Sequence, residues 1–316
     1  MTTTKKTKRN LMTATVLTAL VVACGLGLTQ SCRNGKPQAN AAEADSLEFP
    51  YVDSATARAY YDCATRIDSA DVAERGAEIR AQKKLIAFDL DGTITQHKTQ
   101  MTPEAKATLD ALGQKYQLVM VGAGNAPRIY KQMNEYPIDI VANYGMQESH
   151  VVDGKFQIVR EEKSDVDKDY IRKMCDILRL KYGYTEYKGD PVEFHESGMI
   201  TFGLLGTQAD KEAKLTFDPD KKKRQAMYAE VCDIFKDYAV YIGGTTSFDL
   251  AEKKFNKYDA TLRYAKEHGF TKDQVLFVGD DFGDGGGDSH IRLGGMDYIQ
   301  IYDYATFPER MKFLTE

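Results

Sequence analysis

The chain has no tryptophan, and cysteine is scarce, with five in 316 residues. The missing tryptophan does not deprive it of a core, because 19 Tyr and 14 Phe supply ample aromatic mass. The cysteines exclude more. Cys24 and Cys32 sit in the N-terminal segment. The remaining Cys63, Cys175 and Cys232 cannot make an even disulfide framework and fit no zinc-site spacing. They read as small buried hydrophobes. A basic excess is absent too. Lys and Arg total 42 against 47 Asp and Glu, a formal net charge of -5, which argues against a nucleic-acid partner. No internal repeat is present. What is there is 42% hydrophobic and 28% charged, an ordinary balance for a folded soluble protein. The length suits a two-domain enzyme behind a leader.

The N-terminal segment differs from the rest. "MTTTKKTKRN" is basic and polar, and the following "LMTATVLTALVVACGLGL" carries no charge. That order matches the n-region and h-region of an export signal, and the uncharged run is also near the lower length limit for a membrane span. "VVAC" around Cys24 resembles a bacterial lipoprotein cleavage box, and "LTQSC" around Cys32 is a looser candidate. Residues 1–32 are therefore expected to be a signal or lipoprotein leader, with Cys24 or Cys32 acylated. The protein would be exported and lipid-anchored in the bacterial cell envelope, touching membrane only through this anchor. Without a working signal it would be cytoplasmic. Residues 33–82 read as a polar tether and then a helical spacer.

From Lys83 the pattern becomes regular. "LIAFDL" is a short apolar run, as expected of a strand buried on both faces of a parallel sheet. "TPEAKATLDALGQKY" offers Thr102 as N-cap and Pro103 at the first helical position. "QLVMVGAGN" reads as a strand, "APRIYKQM" as a helix and "IDIVANYG" as a third strand. This alternation predicts an α/β fold with right-handed crossovers, a Rossmann-like parallel-sheet core. The middle of the chain changes rhythm. A hairpin is expected around Asp153-Gly154, helices over "VDKDYIRKMCDILRLKYG" and "DPDKKKRQAMYAEVCDIFKDY", a strand pair turning near Ser197-Gly198, and one strand over "AVYIGGTTSFDLA". The run Lys221 to Arg224 reads as a solvated helix face. The parallel rhythm then resumes through "QVLFVGDD". The expected organisation is a core over residues 83–148 and 254–316, interrupted by an α+β cap over 149–253.

In open α/β sheets, sites form beyond the carboxyl ends of strands. The first strand delivers Asp89 and Asp91, the second Gly124 and Asn125, and the late strand Asp280, followed by Asp288. Close carboxylates repel unless something compensates. Mg²⁺, a hard cation that prefers oxygen ligands, would gather acids from two strand ends. With one residue between them in extended chain, Asp89 and Asp91 point the same way. One can attack phosphorus and the other can shuttle a proton, with Gly92 turning the chain sharply after them. Asp281 and Asp284 read as loop acids. His97, His150, His268 and His290 read as structural or exposed.

"FDLDGTIT" and "VGDDFGDGGGD" together resemble the first and last motifs of the haloacid dehalogenase (HAD) superfamily of phosphoryl-transfer enzymes. Within it, "VGAGNAPRIYKQM", "YKGDPVEFHESGMITFGLLG" and "GGTTSFDLAEKKFNKYDAT" resemble the eukaryotic-type phosphomannomutase branch. The resemblance spans nearly everything from Lys83 onward. It implies Asp89 as nucleophile, Asp91 as acid/base and Lys257 as phosphate-binding lysine. It implies Asp280 as a metal ligand with Asp89, Asp288 as a further ligand or outer acid, and Asp91 as a ligand through its main-chain carbonyl. Ser247 and Asp249 match sugar-contacting positions. A small-molecule phosphate ester is the implied partner, and a homodimer through the cap is a further expectation.

The chain departs from the family pattern in places. Gly124 stands where a Ser or Thr hydroxyl normally meets the phosphate, leaving backbone N–H groups or the Asn125 amide to substitute. Lys188 and His195 stand where cap arginines grip a distal phosphate, and Lys98 replaces a core-loop arginine. Lys is a point charge where Arg is a bidentate fork. Three functions stay open: a Mg²⁺-dependent phosphatase of a small phosphorylated sugar or metabolite, which export and these substitutions favour; a phosphomannomutase; and a catalytically weak binding protein. A two-component receiver also pairs acids with Mg²⁺ and a lysine, but it lacks an inserted cap.

Overall fold

The computed structural model describes residues 65–316. The expected leader with Cys24 and Cys32, the tether and Cys63 lie outside the described residues. Among those described, no helix is long and apolar enough to cross a membrane.

The first described helix, α1 (Ser69–Gln82), is closed by a capping box in which the Asp68 carboxylate accepts from the Ala70 and Asp71 N–H groups. Strand β1 (Leu85–Phe88) follows and is wholly buried. It pairs in parallel with β2 (Gln117–Val121) on one side and β10 (Val275–Gly279) on the other. Strands β3 (Asp139–Ala142) and β11 (Tyr298–Gln300) extend the parallel set outward. Between β1 and β2 lies α2 (Pro103–Gly113), whose Thr102 cap accepts from the Ala105 N–H, as the sequence predicts.

Alternation along β1 divides the core. Ile86 and Phe88 face a cluster with Met120, Ile140 and Val278, roofed by α2, α3 (Ala126–Gln132) and α8 (Phe307–Thr315). Leu85 and Ala87 face the other cluster, with Val119, Phe277 and α7 (Lys257–Glu267). Covering both faces is what makes a continuous apolar strand tolerable here. Each fully buried Leu, Ile or Phe contributes about 1.5–3 kcal/mol.

The hairpin expected at Asp153-Gly154 forms from β4 (Gln147–Val152) and β5 (Lys155–Glu161). It adds antiparallel to β3, giving the order β11-β10-β1-β2-β3-β4-β5. It therefore belongs to the core sheet, and the expected cap boundary at residue 149 moves to beyond Glu161. The reason is local: Ala142, at the end of β3, leads into a tight turn at Asn143–Gly145 that returns the chain along the same edge.

The inserted module is a second sheet with the order β6-β7-β9-β8. It comprises β6 (Val192–Phe194), β7 (Ile200–Gly203), β8 (Tyr238–Tyr241) and β9 (Ser247–Glu252). The stretch expected as one strand over "AVYIGGTTSFDLA" is a hairpin, because Gly243 and Gly244 turn the chain between β8 and β9. One face of this sheet, with Ile200, Phe202, Val240, Phe248 and Leu250, is covered by α4 (Lys168–Tyr182) and α6 (Lys222–Ile234). A short helix, α5 (Lys211–Phe217), is an addition to the expected elements. The other face carries Met199, Ala239, Tyr241 and Ala251, which pack against Tyr144, Met146 and Ala123 of the core. Cys175 is fully buried in this module and Cys232 partly so.

Arg224 overturns the reading of Lys221 to Arg224 as a solvated face. It is 1% exposed. It pairs with Asp218 at 2.8 Å and donates to the main-chain carbonyls of Gly243, Gly244 and Ser247. It thus ties α6 to the β8–β9 turn. Removing one partner of such a buried pair costs about 3–5 kcal/mol.

Candidate active site

The carboxyl ends of β1 and β10 lie side by side in the sheet. Asp89 follows β1 directly, and its N–H donates to the Val278 carbonyl at 2.9 Å. Asp280 follows β10. Asp288 returns to the same point through a glycine-rich loop. Its Oδ2 accepts from the N–H groups of Asp280 and Asp281 at 3.2 and 3.1 Å. Asp89, Asp280 and Asp288 each offer an oxygen, and these oxygens lie within 4.8 Å of one another.

Lys257, the first residue of α7, enters this cluster from the face on which Leu85 and Ala87 lie. Its Nζ donates to Asp89 Oδ1 at 2.6 Å and to Asp288 Oδ1 at 2.7 Å. Burial works to lower the Lys257 pKa, but Asp288 and Asp89 outweigh it and hold the ammonium firmly charged. One cation does not offset three acids. Asp280 is pushed up to about 9, by burial first and then by the Asp89 and Asp288 charges. Asp288 is pushed up to about 6, again mainly by burial. A buried group of hard oxygen donors in which one acid is driven to keep its proton is short of positive charge. It fits a divalent cation that prefers oxygen ligands.

Asp91 is held differently. The chain leaves the extended conformation after Asp89: the N–H groups of Thr93, Ile94 and Thr95 all point to the Leu90 carbonyl, and Gly92 takes φ +93°. The turn begins at Leu90, between the two aspartates. The Asp91 carboxylate instead meets α3. Oδ1 accepts from Gln132 Nε2 and from the Lys98 N–H, both at 2.7 Å, while Oδ2 accepts from both terminal nitrogens of Arg128 at 3.2 and 3.1 Å. Burial would raise its pKa, but the Gln132, Lys98 and Arg128 contacts outweigh that and lower it. Asp91 is outside the three-acid cluster, so any role as a side-chain metal ligand goes to the other three. The role expected for it there was through its main-chain oxygen.

Arg128 and Gln132 were missed in the sequence. They lie four residues apart on one face of α3, and that spacing was the available signal. Asn125, expected to offer its amide to a phosphate, spends its Oδ1 capping α3 through the Arg128 N–H at 2.9 Å. Thr93 was also missed. Its hydroxyl donates to Asp280 Oδ1 at 3.1 Å.

Asp249 and Ser247 stand on β9 of the inserted sheet. Burial first, and then the charges of Asp249, Tyr241 and Asp89, push the buried Tyr144 phenol up. Tyr144 stacks on Tyr241 of β8 at 4.1 Å. Asp249 Oδ1 accepts from Thr201 Oγ1 at 3.0 Å, and Thr201 Oγ1 lies 3.0 Å from His195 Nε2. Burial raises the Asp249 pKa, with Lys98 among the charges that oppose this. Ser247 donates to the Gly243 carbonyl at 3.0 Å. Lys188 stands apart from this group: its Nζ is 3.2 Å from Asp210 and its side chain is 69% exposed. Polar contacts also join the module to the core. Lys221 pairs with Asp281 at 2.8 Å, and the Ile242 N–H donates to the Gly285 carbonyl at 2.7 Å. Asp281 is therefore more than a loop acid, while Asp284 pairs with Arg292 at 3.3 Å.

The chain is similar to several known proteins. A family model described as haloacid dehalogenase-like hydrolase matches residues 204–285, the stretch that carries Ser247, Asp249, Lys257 and Asp280. The phosphomannomutase of Encephalitozoon cuniculi is 26% identical over 224 residues, covering 67% of this chain and 85% of the relative. That of Schizosaccharomyces pombe is 26% identical over 227 residues, covering 68% and 87%. Among solved structures, an IMP-bound, N-terminally truncated IMP-nucleotidase of Plasmodium falciparum shares the fold. Its TM-score is 0.54 at 13% identity, covering 76% of this chain and 70% of that one. With two acids at the end of β1, a lysine on α7 and an acidic loop after β10, this chain is similar to the haloacid dehalogenase-like hydrolases and to the phosphomannomutases, a likeness that supports a phosphoryl-transfer enzyme, phosphatase or mutase.

Proposed function

We propose that the protein is a Mg²⁺-dependent phosphatase of a small phosphorylated sugar or related metabolite. Asp89 is the nucleophile. With Oδ1 held by Lys257, Oδ2 attacks phosphorus, and the P–O bond to the alcohol breaks as that bond forms. Asp91 takes up a proton from solvent as substrate binds and gives it to the leaving alcohol oxygen. It then takes one from the water that attacks the aspartyl phosphate, which returns free phosphate and the Asp89 carboxylate. Asp89, Asp280 and Asp288 would hold Mg²⁺, which supplies positive charge against the phosphoryl oxygens. Asp249 and Ser247 face the sugar, and the inserted sheet excludes bulk water during transfer.

The observation that carries phosphatase over mutase is the state of the residues expected to grip a second phosphate. Lys188 is committed to Asp210 on the surface, and His195 is bonded to Thr201 beside the acid Asp249. A mutase must bind a bisphosphate in two orientations, whereas a phosphatase needs one grip. The basic and then uncharged N-terminal segment supports export, where a phosphatase has more use than a mutase fed by an internal sugar-phosphate pool. The test is an assay of residues 40 onward with Mg²⁺ against a panel of phosphate esters, with and without a hexose bisphosphate. Phosphate release without the activator is expected. Isomerisation that depends on the activator would make the protein a mutase, and ligand binding without turnover would make it a binding protein.

A further inference from the structure

The end of β2 has a feature that the roles above leave unused. Gly124 has no side chain, and the space where a Cβ would stand is filled by the Arg128 guanidinium. A Cβ there would lie 2.5 Å from Arg128 Nε and 2.7 Å from its Cζ. Arg128 reaches this point from the first turn of α3 and spans to Asp91 Oδ2 and Gln132 Oε1. Its side chain is 39% exposed, so it sits at the rim and not in the core.

The charge inventory of the mouth gives this position weight. Asp89, Asp91, Asp280 and Asp288 crowd around β1 and β10, and a phosphate monoester would bring up to two more negative charges. Lys257 is 3% exposed and occupied by two of the acids. Lys221 is occupied by Asp281. A guanidinium offers five N–H donors in a planar fork that matches two phosphate oxygens, and only three hydrogen bonds of Arg128 go to Asp91 and Gln132.

We propose that Arg128 is the phosphate-gripping residue at the end of β2: standing in the space left by Gly124, it exchanges its contact with Asp91 for two oxygens of an incoming phosphate monoester. Substrate arrival would then release the Asp91 carboxylate toward the ester oxygen, linking recognition to proton transfer. The proposal rests on the phosphoryl-transfer reading of the site.

The test compares Arg128→Ala, Arg128→Lys, Gly124→Ser and the double variant Gly124→Ser/Arg128→Ala, each checked for an unchanged melting temperature. The readouts are calorimetric binding of inorganic phosphate with Mg²⁺ present, and the KM and kcat for p-nitrophenyl phosphate. Arg128→Ala should weaken phosphate binding and raise KM by about 10- to 100-fold, the size of a lost charge-assisted contact, with a smaller change in kcat. Arg128→Lys should recover part of the affinity. Gly124→Ser should also weaken binding, because its side chain displaces the guanidinium. The double variant should be no worse than the poorer single, as expected when two changes act on one contact. Phosphate affinity within twofold of the parent in Arg128→Ala would overturn the proposal, as would additive losses in the double variant or absence of phosphate binding by the parent. Calorimetry needs no turnover. A parent that binds phosphate through Arg128 but hydrolyses no ester would sink the phosphatase reading alone, and a parent that hydrolyses esters with Arg128 dispensable would sink this inference alone.

Discussion

The core mouth and the inserted sheet face each other with opposite chemistry. The core gathers three carboxylates around one buried lysine, so negative charge is in excess and poorly solvated. The inserted face presents a hydrogen-bonded run of His195, Thr201 and Asp249, set among aromatic and small apolar side chains. The first arrangement is costly unless a cation joins it, and chemistry benefits from groups held under such tension. The second is suited to recognising hydroxyls. Changes in the core should therefore fall on kcat and on stability, and changes in the inserted face on KM and substrate choice.

That division can be broken by experiment, beginning where the largest effect is expected. Asp89→Asn removes the attacking oxygen, and kcat for phosphate release should fall by at least about 10³-fold with KM little changed. A variant retaining a tenth of the activity would remove Asp89 from its role. Lys257→Met leaves Asp89 and Asp288 buried without their shared partner. Urea denaturation should register a loss of about 3–5 kcal/mol, reduced when Mg²⁺ is added. A stable Lys257→Met protein would mean that the acids are not charged together. Asp249→Asn should raise KM for a favoured sugar phosphate by about tenfold while leaving p-nitrophenyl phosphate nearly unaffected, since one lost polar contact discriminates by about that much. Equal effects on both substrates would deny the inserted sheet its recognition role.

A further effect concerns pH. Asp280, pushed up to about 9, keeps its proton in the folded state after an unfolded aspartate has lost its own. The folded state then binds more protons, so stability falls as pH rises from about 4 toward 9. Asp288 contributes in the same direction up to about 6. The melting temperature without divalent cations should decline over this window, Asp280→Asn should flatten the decline, and Mg²⁺ should stabilise more at pH 8 than at pH 5. A melting temperature that rises with pH without metal would contradict the crowding of these acids.

The core was legible in the sequence because each of its elements signals itself locally. "LIAFDL" is an apolar run with acids at its end, and the Thr102-Pro103 helix start is visible from two residues. The acidic loop after "VLFVG" follows the same logic. What escaped depended on distant partners. The β4–β5 hairpin reads identically whether it joins the core or the cap, and only its pairing with β3 decides. Arg224 looks like the end of a basic surface run until Asp218 and three carbonyls enclose it. The pairing of Asp91 with Arg128 escaped for a related reason. Their meeting depends on the turn after Leu90 and on the missing side chain at Gly124, which the four-residue spacing of Arg128 and Gln132 alone does not reveal.

The account stands or falls on whether Asp89 itself becomes phosphorylated. The direct measurement is to mix enzyme, Mg²⁺ and a hydrolysed ester, quench with borohydride, and read the modified residue by mass spectrometry. Reductive conversion of residue 89, dependent on substrate and Mg²⁺ and absent in Asp89→Asn, is the predicted result. Modification of a different residue, or rapid turnover with residue 89 unmarked, would contradict it.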